Sequence, residues 1–86
     1  MDWKIRGEKD KIIKATIKYV DKGLWRINLS HQSSALRETT LVRDGVEVIT
    51  FREEVNGFVH DSIRVELKIK THRQDLDTYL HEEGLI

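Results

Sequence analysis

The sequence has no cysteine and no proline. The first absence excludes a disulfide framework and cysteine-ligated zinc, the usual staples of small secreted domains. The second excludes polyproline ligand motifs and Pro-rich linkers. Apolar runs stop at two or three residues, and Met1-Asp2-Trp3-Lys4 opens without the apolar core of a signal peptide. The expectation is a cytoplasmic protein with no membrane partner. Net charge is zero, with 15 basic and 15 acidic residues, so the whole molecule has no electrostatic preference for nucleic acid or acidic substrates. Glycine is spread singly through turns, which excludes a phosphate-cradling glycine loop.

What is present is a chain of 86 residues, 38% hydrophobic and 35% charged. That length fits one domain over residues 1–86, burying roughly 60–65% of the surface its unfolded chain exposes, with little room for an internal active-site cavity. Residues 1–10 read as a loosely attached strand or arm, since Trp3 and Ile5 alternate with charges before Gly7.

Three glycine-closed turns organise the rest: Asp21-Lys22-Gly23, Arg43-Asp44-Gly45 and Val55-Asn56-Gly57. Each reads as a three-residue hairpin loop whose glycine takes the left-handed region without a Cβ penalty. With Asp21–Gly23 as a loop, Tyr19 faces Trp25, Ile17 faces Ile27 and Ala15 faces Leu29. The other face then carries Lys18 opposite Arg26 and Lys14 opposite Ser30. One register sorts both strands by polarity, which favours a hairpin. Residues Lys11–Val20 also fit a helix, with Ile12, Ile13, Ile17 and Val20 on one face and lysines on another. The β-branched content and the clean register favour strands.

Leu36–Val42 and Val46–Glu53 flank the second turn, and Phe58–Lys70 follows the third. Ile63, Val65, Leu67 and Ile69 alternate with charges, the plainest half-buried strand in the chain. The preferred register puts Phe51 opposite Ile63 and Ile49 opposite Val65. Thirteen residues of strand would span about 43 Å, so a bulge or bend is expected around His60-Asp61-Ser62. A helix over 71–84 closes the chain, with Thr71 and Gln74 as a capping box and Gly84-Leu85 as a Schellman stop.

No constellation for catalysis emerges. His31 among Ser30, Ser33 and Ser34 lacks a glycine-framed elbow and reads as a polar loop. Asp77 with His81, and His72 with Asp75, share helix faces, but no third ligand follows at a metal-site spacing. Glu53, Glu54, Asp61, Glu82 and Glu83 read as solvated charge. No cofactor, metal or enzymatic activity is expected.

Charge is nevertheless polarised. Residues 1–26 hold eight basic and four acidic side chains, a net of +4, and the remainder balances it. Lys14, Lys18, Lys22 and Arg26 form a candidate basic face, while Asp77, Glu82 and Glu83 form a candidate acidic one. Glu82 and Glu83 oppose the helix dipole at a cost of roughly 0.3–1 kcal/mol each, which marks the end of that helix as a surface of interest.

The sequence therefore predicts an α+β domain: a meander of about five antiparallel strands, open or partly closed into a barrel, with one C-terminal helix. The predicted core is Ile13, Ile17, Tyr19, Trp25, Ile27, Leu29, Ile49, Phe51, Ile63, Val65, Leu67, Ile69, Leu76 and Leu80. The functional expectation is a non-enzymatic accessory protein whose partner is another protein, a homodimer joined at a sheet edge being one form. The last strand is the candidate edge. The alternative is a nucleic-acid-binding module that uses the basic first hairpin.

Overall fold

The computed structural model describes residues 2–5, 7–20, 23–30, 32–56 and 62–86. Its first departure from the sequence reading is at Lys9–Val20, which forms a helix, α1. The apolar residues are spaced so that many of them satisfy both periods, but Ile12 and Ile13 are adjacent. In a strand they would face opposite sides; on a helix they join Thr16, Ile17 and Val20 in one stripe. Ile12 and Thr16 are fully buried, and Lys11, Lys14 and Lys18 are exposed. Asp10 in the first turn and Lys18 in the last also suit the helix dipole. The tertiary reason is cover. A ten-residue C-terminal helix alone cannot shield one face of the sheet, and α1 supplies the rest.

The remaining elements are β1 (Asp2–Lys4), β2 (Trp25–Ser30), β3 (Leu36–Arg43), β4 (Val46–Val55), β5 (Ser62–Ile69) and α2 (Arg73–Glu82). The sheet is open and antiparallel, in the order β1-β5-β4-β3-β2. Strands β2 to β5 form a meander of consecutive neighbours, and the three-residue β1 adds to β5. The α+β class and the meander agree with the sequence. The single-helix count does not, because the expected first strand is α1. The expected hairpin is absent: Ile27 pairs with Leu41 and Leu29 with Thr39, and neither meets Ile17 or Ala15. Asp21 and Lys22, its expected loop, lie outside the described residues.

The second turn is one residue tighter than expected. Arg43 pairs with Val46, leaving Asp44 (φ 50°) and Gly45 (φ 80°) as a two-residue loop with both residues left-handed. That is the type I′ pattern, whose twist matches the strands it joins. A bulge at Val48 then shifts the β3–β4 register, and Val48 and Ile49 are both buried.

In the β4–β5 pair, Phe51 lies opposite Leu67 and Ile49 opposite Ile69, four residues beyond the expected partners. An even displacement keeps each side chain on its expected face. The register shifts between Arg64 and Ser62, next to the expected bend; His60 and Asp61 themselves lie outside the described residues.

Helix α2 starts without a capping box. His72 is left-handed (φ 59°) with no side-chain cap, and the Thr71 hydroxyl donates to the Glu47 carbonyl, tying the helix to the start of β4. At its other end Leu85 N–H donates to Leu80 O and Gly84 N–H to His81 O, both at 3.0 Å, with Gly84 at φ 72°. This is the expected Schellman stop. Gly7 N–H donates to Leu85 O at 3.1 Å, so the lead-in to α1 lies beside the tail of α2.

The helices cover one face of the sheet. Ile12, Leu41, Val48, Ile49, Phe51, Leu67, Ile69, Leu76, Leu80 and Ile86 form the core. Each fully buried large side chain contributes roughly 1.5–3 kcal/mol. Ile13, Ile17, Trp25 and Val65 pack around it half-buried. Tyr19, Ile27, Leu29 and Ile63, predicted to be core, are exposed.

Candidate interaction edge

β2 stands at the end of the sheet order. One side of its backbone pairs with β3 over all six residues in unbroken register. Its other side has no strand partner among the described residues. The last strand, β5, was expected to be the edge, but it lies between β1 and β4.

Both ends of β2 are anchored. Leu24 N–H donates to the Asp44 carboxylate at 2.8 Å, and Asp44 N–H donates back to Leu24 O at 2.9 Å. At the other end the Gln32 amide donates to Ser30 O at 2.8 Å and to Glu38 O at 3.0 Å, clamping β2 to β3. The Ser33 side chain then organises the turn by bonding to Leu36 N–H and O. A strand held at both ends and open along one side is a preorganised template for another strand.

Natural edges are blunted by lysine, proline, bulges or inward charge. β2 has none of these, and Arg26 is its only charge. On the helix side of the sheet, Ile27 is 55% exposed although its neighbour Leu41 is buried; Leu29 is 66% exposed although its neighbour Thr39 is buried. The core's cover reaches Trp25 at the start of β2 but not Ile27 and Leu29. Between the helices, Tyr19 of α1 stacks on Tyr79 of α2 with ring centroids 4.5 Å apart.

Among the described residues, the sheet's other face carries no helix. Across it, register aligns Glu66, Arg52, Glu38 and Ser30, a row of alternating charge that ends neutral at β2. Thr40 and Thr50 share a 3.0 Å hydrogen bond at its centre. A shallow depression of about 200 Å³ lies alongside, lined by Glu38, Thr50, Arg52, Glu66, Lys68 and Lys70 among others.

The candidate basic face does not assemble. Lys14 and Lys18 lie on the exposed side of α1, whereas Arg26 projects from the sheet face away from the helices. Lys22 lies outside the described residues. On the acidic side, Asp77 is half-buried and pairs with His81 at 3.0 Å, while Glu82 and Glu83 are exposed. Among the described residues no three metal-ligating side chains converge.

One carboxylate contradicts its solvated reading. Glu53 is buried on the core-facing side, in phase with Ile49, Phe51 and Val55. Lys9 at the start of α1 approaches it to 2.6 Å and Arg37 of β3 to 3.2 Å. The two cations satisfy a charge that burial alone would disfavour, and they fasten α1 to the sheet. Its even spacing from Phe51 was the available signal. For the edge, the signal was a strand with one charge and no lysine.

Among the described residues, the fold and edge define an open-sheet α+β domain in which β2 has a strand on one side only. Comparison with protein-family models, curated proteins and solved structures finds no match for this chain.

Proposed function

We propose that this chain is a non-enzymatic binding protein that engages another protein by strand addition at β2. The observation that carries this reading is the anchored, lysine-free edge flanked by exposed Ile27 and Leu29. Main-chain bonds along the edge supply affinity, and the two apolar side chains supply selectivity. The experiment is comparative capture from the native host with wild-type protein, Ile27→Lys and the double variant Lys14→Glu/Lys18→Glu. Partners lost with Ile27→Lys and kept with the helix variant support the reading. An unchanged partner set with Ile27→Lys overturns it.

A second reading, contact with nucleic acid, rests on the exposed row Lys11, Lys14 and Lys18 along α1. Fluorescence anisotropy with labelled oligonucleotides at about 50 and 200 mM salt tests it. Salt-sensitive binding abolished by the helix variant supports this reading, and no binding at low salt removes it.

A further inference from the structure

We infer that the strand added to β2 is β2 of a second copy of this chain, paired antiparallel about a two-fold axis through Asn28. This rests on the edge reading above and names its partner. With Asn28 facing its own copy, Ile27 faces the partner's Leu29 and Arg26 faces the partner's Ser30. The exposed apolar residues then meet each other on the helix side, and the two sheets join into one of ten strands, five from each copy.

Charge selects this register. Ser30 is paired with Glu38 in β3, so Arg26 of one copy lies two strands from the partner's Glu38. That is about 10 Å between backbones, a distance an arginine and a glutamate span together. Glu38 makes no ion pair among the described residues, although Arg52 is its register neighbour. The alternating row Glu66, Arg52, Glu38 thus continues with Arg26 across the junction.

Other registers fit less well. One puts Arg26 against itself, a like-charge pair that destabilises a sheet. Centring on Ile27 moves Arg26 beside the partner's Asn28 and away from Glu38. A slip of one residue sets Ile27 and Leu29 beside polar side chains. Zero net charge removes general repulsion between copies.

The test uses the absence of cysteine. Directly opposed antiparallel residues have Cα atoms about 4.5–5.5 Å apart, within the span of a disulfide. Asn28→Cys is expected to oxidise to a covalent dimer. Arg26→Cys is not, because the two copies of that position are offset by four residues, about 13 Å along the strand. Light scattering of the wild-type chain from about 5 to 500 μM should show mass rising from 10.1 kDa towards twice that value. Arg26→Glu should weaken association at least tenfold, and adding Glu38→Arg should restore it.

Equal oxidation at positions 28 and 26 overturns the register. A wild-type mass fixed at 10.1 kDa across the range overturns self-pairing even if a cysteine variant misfolds. That second result leaves strand addition by a different protein to the capture comparison, so the two readings fail separately.

Discussion

β4 and β2 carry the same apolar alternation and meet opposite fates. β4 has a strand on each side and helices above, and its Ile49 and Phe51 are wholly buried. β2 has one neighbour, and its Ile27 and Leu29 are more than half exposed. Alternation fixes which side of a sheet a residue faces. Position in the strand order and the reach of the helices decide whether that side is dry. An apolar residue on the covered side of β4 holds the fold together. In β2 the same residue type is surplus to the fold and available for contact.

The sharpest way to break that contrast is at Phe51. Phe51→Ala should cost about 3–5 kcal/mol in urea unfolding, leaving a domain of this size barely folded. A loss below about 1 kcal/mol would place β4 outside the true core. Next is Glu53→Ala, which strips the carboxylate from Lys9 and Arg37. Both cations are about one-third exposed and water can rescue them, so about 1–3 kcal/mol is expected, short of the full penalty for breaking a buried pair.

A smaller effect sits at the threonine pair. Thr40→Val should cost about 1 kcal/mol by orphaning the Thr50 hydroxyl, and adding Thr50→Val should recover most of it. Smallest of all, Ile27→Ala and Leu29→Ala measured at high dilution should change unfolding by no more than about 0.5 kcal/mol. A loss of 2 kcal/mol at either site would make β2 part of the core and erase the comparison.

The place of the Asp44–Gly45 turn, the meander, the alternating β5 and the Schellman stop were legible because each depends on residues close in sequence, whereas the turns expected at 21–23 and 55–57 include residues outside the described ones. Gly45 with Asp44 and Gly84 with Leu80 are local devices. α1 was misread because Ile13 and Ile17, or Ala15 and Tyr19, are four residues apart, a spacing that serves helix and strand alike. The adjacent pair Ile12–Ile13 held the deciding information, and it counts only once a sheet needing cover is in view. Glu53 was misread because its counter-charges arrive from residues 9 and 37, distant in sequence. For the same reason the edge was assigned to the last strand: β1 covers part of β5, and only the strand order reveals it.

Amide hydrogen exchange along β2 at low and high protein concentration tests the central claim most directly. An anchored but open edge predicts weak protection of its outward-facing amides at about 5 μM and marked protection at about 500 μM, with β4 protected equally at both. Strong protection of all β2 amides at the lower concentration, unchanged at the higher, would mean the edge is already covered within one chain and would contradict the account.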